Sequence, residues 1–212
     1  MPTFFKKALN LSYKRVRRDT AKKPDAELYE RKKNELEELE SNALNGNIDV
    51  CYFDESGFNL TPNLPYAWSA VGKTISIPAK MSKNLNVLGF LNINTSKLFA
   101  SCTYDKVDTD VVIEHFNLFA NEITKETVAV IDNASIHTSH KFKAMLQIWE
   151  SQGLTIFYLP PYSPQLNPIE MLWKFMKYYW IEFDAYKSAK HMQDYVEKVI
   201  IGYGEKFEIN FG

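Results

Sequence analysis

The sequence has only two cysteines among its 212 residues, Cys51 and Cys102, and neither belongs to a CxxC or Cys/His cluster. A structural zinc site uses about four Cys or His ligands, so this class of site is excluded. Because each cysteine lies in an apolar, strand-like run, we expect two buried, reduced thiols and no disulfide.

Long apolar runs are also absent. No stretch of about 18 apolar residues occurs, and the first residues lack the apolar core of a secretory leader. We therefore expect a protein with no membrane segment that acts in the cytoplasm. Hydrophobic residues make up 45% and charged residues 24% of the sequence. This composition is ordinary for one folded domain with a short appendage, and it excludes disordered and fibrous classes.

The sequence has almost no net charge, −1 in total, but the charge is unevenly distributed. Residues 1–33 carry 11 Lys and Arg against 4 Asp and Glu, a net charge of +7, whereas the remaining residues carry 14 against 22, a net charge of −8. Arg15, Arg17 and Arg18 belong to this basic segment and are candidates for contacts with nucleic-acid phosphates. A solvated basic linker is the alternative that the residues leave open.

Hydrophobic periodicity predicts an α/β fold with a mixed sheet flanked by helices. The first helix is expected from Asp25 to about Asn45, where Gly46 ends it. We divide the chain into a basic linker and helix, residues 1–46, and a catalytic domain, residues 47–212. Strands are predicted at 48–53, 74–77, 85–93, 97–104, 128–131 and 154–159, and further helices at 109–123, 139–151 and 167–180.

Three acidic residues lie at positions where ligand-binding side chains are common. Asp54 and Asp132 each follow an apolar strand directly, and ligands bind at the carboxyl ends of such strands. Two aspartates on neighbouring strands repel each other, which raises a pKa unless a cation such as Mg²⁺ neutralises them. Glu170 lies in the first turn of a helix that begins at Asn167-Pro168. Asn167 and Glu170 also fit a capping box, so the residues alone leave a purely structural role open for Glu170.

The segments around these acids closely resemble the three motif blocks of DDE transposases, in the insertion-sequence branch related to mariner elements. The blocks read YFDESGF at residues 52–58, VIDNASIH at 130–137 and LPPYSPQLNPIE at 159–170, with the acids 78 and 38 residues apart. Trp173 and Lys177 extend the third block, and PYAWS at 65–69 with Gly72 resembles the segment between the first two. The resemblance extends from about Leu11 to the C-terminus.

The resemblance implies a ribonuclease H-like fold with a mixed five-stranded sheet, in which Asp54, Asp132 and Glu170 hold two Mg²⁺ ions, with Mn²⁺ as a substitute. Paired ions activate the attacking oxygen and stabilise the leaving one in an in-line displacement. The family reaction implied is DNA cleavage by water, which frees a 3′-hydroxyl, followed by attack of that hydroxyl on target DNA. DNA is thus the expected partner, and a homodimer on paired element ends the expected assembly.

Further residues near the motif blocks are candidates for supporting roles. Lys174 and Lys177 lie on the helical face of Glu170 and are candidates for phosphate contacts, although a surface pair with Glu170 explains Lys174 equally well. Trp173 and Trp180 are expected in the core. The candidates for orienting a carboxylate or contacting substrate are Glu55, Asn133, His137 and Asn167.

The family usually carries helix-turn-helix modules before the catalytic domain, and the roughly 46 residues before the first strand lack two such modules. We therefore expect a truncated chain, the downstream product of a split reading frame or a relic, with the helix-turn-helix modules on a separate chain. Two alternatives to a transposase stay open. One is a ribonuclease H-like nuclease without strand transfer, and the other is a non-catalytic fragment that regulates a full-length transposase.

Overall fold

A computed structural model describes residues 25–61, 71–73, 76 and 83–211. Arg15, Arg17 and Arg18, the segment 65–69 and all but one residue of the predicted strand at 74–77 lie outside the described residues. Within the described part of the chain, no helix is long and apolar enough to cross a membrane.

The described residues form a mixed five-stranded sheet, as predicted. The strand order is β3-β2-β1-β4-β5. Strand β1 pairs antiparallel with β2 and parallel with β4, while β2–β3 is antiparallel and β4–β5 is parallel. The strands are β1 (Asp49–Phe58), β2 (Leu85–Asn92), β3 (Lys97–Thr103), β4 (Thr127–Ile131) and β5 (Leu154–Tyr158).

The predicted helices are present with short changes at their ends. Asp25 caps the first helix through a hydrogen bond from the Leu28 amide, and Gly46 follows it with a φ of 77°, a backbone conformation that favours glycine. The last helix had no counterpart in the periodicity. The helices are α1 (Ala26–Leu44), α2 (Thr109–Glu122), α3 (His140–Ser151), α4 (Ile169–Phe175), which continues as a π-helical turn (Met176–Trp180), and α5 (Ala189–Ile201).

The sheet buries a core on each face, because successive side chains of a strand point to opposite sides. On the first face, Val50 and Tyr52 of β1 pack with residues of α1, α4 and α5. On the second face, Cys51 and Phe53 of β1 pack with residues of α2 and α3. The alternation assigns even-numbered residues of β1 to the first face and odd-numbered residues to the second.

Two predictions about β1 and the thiols need correction. Strand β1 does not end at Asp54 but continues to Phe58, because its antiparallel pairing with β2 runs on from Tyr52 to Phe58 after the parallel pairing with β4 has ended. Both cysteines are free, as expected, but only Cys51 is buried. Cys102 is half-buried because it lies on β3, at the edge of the sheet.

Candidate active site

The register of two parallel strands brings the first two acids together. Tyr52 of β1 is opposite Val130 of β4, and two residues further along each strand are Asp54 and Asp132. The 78-residue separation of the acids in sequence therefore equals the offset of the strand pairing. Residues two apart in a strand share a face, so Asp54 belongs to the first face with Tyr52, while Asp132 directly follows the end of β4 at Ile131.

All three predicted acids line one cleft of about 430 Å³ at this end of the sheet. Asp54 is partly buried, whereas Asp132 and Glu170 are exposed. The loop that follows β5 also contributes to the cleft. The remaining lining residues are Asn133, Ala134, Leu159, Pro160, Pro161, Tyr162, Ser163, Pro164 and Asn167.

Asn167 does not cap α4 through its side chain. Its amide nitrogen donates to the carbonyl oxygen of Phe53 at 3.0 Å, and no side chain caps the helix start at Pro168. A backbone carbonyl only accepts hydrogen bonds, so the nitrogen must face Phe53 and the other amide atom must be the oxygen. That oxygen, Oδ1, is buried and has no hydrogen-bond partner among the described residues. The capping-box interpretation of Asn167 is therefore wrong.

Asp54 is held by the side chain of Trp173, whose indole nitrogen donates to Oδ2 at 3.1 Å. Gly89 is paired with Asp54 across β1 and β2, and a Cβ at that glycine would lie 3.0 Å from the Trp173 ring. A glycine within a strand thus allows the ring to approach the backbone. Trp173 was expected in the core; it is buried there, and its contact with Asp54 was not foreseen. The signal available in the sequence was the isolated glycine in an apolar strand.

Asp54 is in an electrostatically unfavourable position when ionised. Burial raises its pKa to about 8, and the negative charges of Glu55, Glu170 and Asp132 act in the same direction. Burial and the charge of Asp132 also raise the pKa of Glu170, while Lys177 opposes this rise. The repulsion expected between acids on neighbouring strands is therefore present, and a cation in the cleft would relieve it.

Asp132 is linked to the second face of the sheet through His137. Asp132 Oδ1 lies 2.7 Å from His137 Nδ1, and His137 Nε2 lies 2.9 Å from Glu55 Oε1. Burial disfavours a charged imidazole, but the hydrogen bonds and charges of Asp132 and Glu55 outweigh it and raise the pKa of His137 to about 9. Burial likewise opposes the ionisation of Asp132, yet the bonds from His137 and from the Ala134 amide hold its pKa below the ordinary value.

Of the other predicted site residues, Asn133 and Lys177 interact with groups at the cleft, whereas Lys174 does not line it. Asn133 lies at the cleft and donates to the carbonyl oxygen of Leu159, which joins the end of β4 to the end of β5. Lys177 is half-buried, with its ammonium 5.3 Å from the centre of the Phe58 ring, and burial lowers its pKa against the attraction of Asp54 and Glu170. Lys174 is exposed on α4 and does not line the cleft.

Across residues 25–61, 71–73, 76 and 83–211, no three His, Cys, Asp or Glu side chains are arranged to hold a metal ion. Asp54, Asp132 and Glu170 thus share a cleft, but within the described residues they do not form a metal-binding cluster. The chemistry of the donors nevertheless fits a hard divalent cation, which takes carboxylate, amide and water oxygens. The unpartnered Oδ1 of Asn167 and the raised pKa of Asp54 are the two observations that support this fit.

Comparison with protein families gives a match over residues 49–193 to the model of the DDE superfamily endonucleases, which is more than half of the chain. The chain belongs to this family. All three acids lie within the matched residues. A relative, the Uncharacterized protein y4pE/y4sA of Sinorhizobium fredii, is 30% identical over 83 residues, which are 38% of this chain and 57% of the relative.

Solved structures of transposases share the fold. The Mos1 transposase paired-end complex with the left transposon end matches with a TM-score of 0.60 and 17% identity, over 92% of this chain and 61% of that one. The catalytic domain of Mos1 mariner transposase matches with a TM-score of 0.56 and 13% identity, over 88% of this chain and 87% of that one. The fold is therefore ribonuclease H-like, as predicted. The chain spans less than two thirds of the curated relative and of the Mos1 chain in the paired-end complex.

Proposed function

We propose that residues 47–212 of this DDE superfamily endonuclease form the catalytic domain of a transposase, which cleaves DNA strands and joins them to target DNA inside the cell. The observation that carries the proposal is the alignment of Asp54 with Asp132 across β1 and β4, in one cleft with Glu170. These are the acids of the three motif blocks, and the family match over residues 49–193 includes them.

Asp54, Asp132 and Glu170 are the residues that would hold two Mg²⁺ ions, or Mn²⁺ in their place. When bound, such a pair of ions stabilises the attacking and leaving oxygens of an in-line phosphoryl transfer. A Mos1 mariner paired-end complex with Mn matches this chain with a TM-score of 0.59, which supports divalent metal use by that protein. For the present chain, the oxygen donors of the cleft support the same use.

In the first reaction, a water oxygen bonds to a phosphorus of the element end, the bond from that phosphorus to O3′ breaks, and a 3′-hydroxyl is released. In the second, this hydroxyl bonds to a phosphorus of target DNA and displaces another O3′. The chain positions its groups for both transfers. The Trp173 indole orients Asp54, and Asn167 lines the cleft with its amide nitrogen bound to the Phe53 carbonyl oxygen.

DNA contacts belong to the same proposal. Lys174 is exposed near the cleft and available to a phosphate, whereas Lys177 lies close enough to Asp54 and Glu170 to offset their charge. The basic residues Arg15, Arg17 and Arg18 add phosphate contacts before the catalytic domain. A homodimer on DNA and a separate chain with the helix-turn-helix modules complete the proposed assembly.

The test supplies a pre-cut DNA end with a 3′-hydroxyl together with a supercoiled plasmid, in Mg²⁺ or Mn²⁺. Wild-type protein is expected to join the two DNAs, whereas Asp54→Ala, Asp132→Ala and Glu170→Ala are each expected to reduce joining to background. Glu150→Ala, which removes an exposed acid at the end of α3, is the matched control and should join normally. Nicking without joining would favour a nuclease, and DNA or partner binding that persists in Asp132→Ala without any cleavage by wild type would favour a regulatory fragment.

Glu170→Gln separates a ligand from a structural residue. Gln has the same size and helix propensity, so the fold should be unchanged. If Glu170 binds the cation, joining falls to background, because the amide carries no negative charge. Activity near that of wild type would remove Glu170 from the proposed metal site.

A further inference from the structure

A chain of hydrogen bonds centred on the buried His137 reaches the cleft from the opposite side of the sheet. Glu55 follows Asp54 on β1, so its side chain points to the second face while that of Asp54 points to the first. On the second face Glu55 meets His137, and His137 in turn meets Asp132. The two neighbouring acids of β1 therefore serve opposite faces of one sheet, and Glu55 does not line the cleft.

The His137 ring is fixed in place on every side. Only 1% of the side chain is exposed, and its ring centre lies 5.6 Å from that of Phe53 and 5.9 Å from that of Phe142. The backbone is anchored as well, since the Tyr158 hydroxyl donates to the His137 carbonyl oxygen at 2.9 Å. An imidazole enclosed in this way has little room to rotate. It therefore keeps the carboxylate that it binds in one orientation.

The Asp132 side chain, in contrast, is not enclosed by neighbouring side chains. Its side chain is 56% exposed, and an exposed Asp side chain is free to change rotamer. Its Oδ1 is bound by His137 Nδ1 at 2.7 Å and by the Ala134 amide at 3.0 Å, while no described hydrogen bond engages Oδ2. One oxygen is thus tied to the protein and the other is left for the cleft.

We propose that Glu55 and His137 are positioning residues, which together hold Asp132 in the rotamer that presents Oδ2 to a divalent cation. Glu55 fixes the ring by accepting from Nε2, and the ring fixes Asp132 by donating from Nδ1. Carboxylates that bind metal ions are themselves held by hydrogen bonds, and loss of such a partner lowers metal affinity or activity by roughly 10- to 100-fold. The inference rests on the proposed function, since it assigns Asp132 to the cation.

The test measures Mn²⁺ affinity of the 212-residue chain by electron paramagnetic resonance of free Mn²⁺, without DNA. Glu55 is partly exposed, so Glu55→Ala is expected to fold, which thermal unfolding checks. We expect this variant to bind Mn²⁺ roughly 10- to 100-fold more weakly than wild type. Glu55→Gln keeps an oxygen that accepts from Nε2 and is expected to recover most of the affinity.

Ser101→Ala is the matched control. Ser101 is the hydrogen-bond partner of His115, a second buried histidine on the same face of the sheet, at 2.8 Å from Nδ1. Each alanine variant therefore removes one hydrogen-bond partner of a buried imidazole, but only His137 contacts a carboxylate of the cleft. Ser101→Ala should retain wild-type Mn²⁺ affinity.

Three results would overturn the inference: wild-type affinity in Glu55→Ala, equal losses in Glu55→Ala and Ser101→Ala, or no recovery in Glu55→Gln. Asp132→Ala distinguishes this failure from failure of the proposed function. If that variant loses Mn²⁺ binding while Glu55→Ala keeps it, only the positioning role is wrong. If wild-type protein binds no Mn²⁺, both the metal site and its positioning are wrong.

Discussion

The polar groups that lie near the site differ in their hydrogen bonding between the two faces of the sheet. On the face covered by α2 and α3, the partly buried Glu55 and the buried His137 are both hydrogen-bonded, and the surrounding core is largely aromatic. On the face that carries α1, α4 and α5, Asp54 is crowded by other negative charges and the buried Oδ1 of Asn167 has no partner. Burying a polar atom without a hydrogen bond costs roughly 1 to 3 kcal/mol.

The contrast indicates that the two faces have different roles. On the second face, Glu55 and His137 hydrogen-bond to each other and support the site from behind the sheet. The first face keeps unsatisfied groups at the cleft, where a cation and its water ligands would complete them. Strand β1 connects the two faces, since alternate residues of this one strand serve the support and the site.

The largest effect is expected from breaking the aromatic support. Phe116 is fully buried on α2, with its ring centre 4.7 Å from that of Phe53 and 5.0 Å from that of Trp149. Phe116→Ala should lower the free energy of unfolding by roughly 3 to 5 kcal/mol, measured by urea denaturation. Leu118→Ala is the control, because Leu118 is 50% exposed on the same helix and should change stability by less than about 0.5 kcal/mol. Equal effects of the two variants would contradict a rigid support on this face.

A smaller effect is expected where the first face approaches the sheet. Gly89→Ala places a Cβ 3.0 Å from the Trp173 ring, so the ring must shift away from Asp54. Overpacking of this kind costs roughly 1 to 3 kcal/mol, and we expect DNA joining to fall with it. Gly57→Ala provides the comparison, since its Cβ would meet Asn86 Oδ1 at 3.5 Å and Asn84 Nδ2 at 3.9 Å, which are ordinary van der Waals distances. Unchanged activity in Gly89→Ala would show that the position of Trp173 is unimportant.

The smallest effect concerns the stability of the protein in EDTA as pH changes. The pKa of His137 rises from 6.5 to about 9 on folding, so its stabilisation is present below pH 6.5 and is lost as pH increases to 9. The pKa of Asp54 rises from 3.8 to about 8, so its ionisation also favours unfolding as pH increases over that range. The Tm should therefore fall between pH 6.5 and 9.

Asp54→Asn isolates the contribution of the first face. The variant removes the ionisable group, so we expect a Tm roughly 2 to 4 °C higher than that of wild type at pH 8, equivalent to about 1 kcal/mol for a chain of this size. The part of the pH dependence that comes from His137 should persist. A Tm that rises from pH 6.5 to 9 in EDTA, or a variant with the wild-type Tm at pH 8, would contradict these assignments.

Much of the fold and the position of the acids could be predicted from the sequence. The apolar runs, caps and glycines locate the strands and four of the five helices, because local periodicity and capping depend on neighbouring residues. The full length of β1 could not be predicted, since its second half is stabilised by pairing with β2. Helix α5 could not be predicted for the same reason, because it is stabilised by packing on β3 and on the 3₁₀ turn at Phe183–Lys187.

The sequence by itself determined the family and the three acids in their motif blocks. Only the tertiary structure decided which groups meet. It placed Trp173 on Asp54, turned the Asn167 amide toward Phe53, and joined Glu55 to Asp132 through His137. The physical reason is the distance in sequence between the interacting residues. Periodicity and motif spacing report on residues that are near one another in the chain. Apart from the local His137–Asp132 pair, these hydrogen bonds join residues 82 to 119 positions apart.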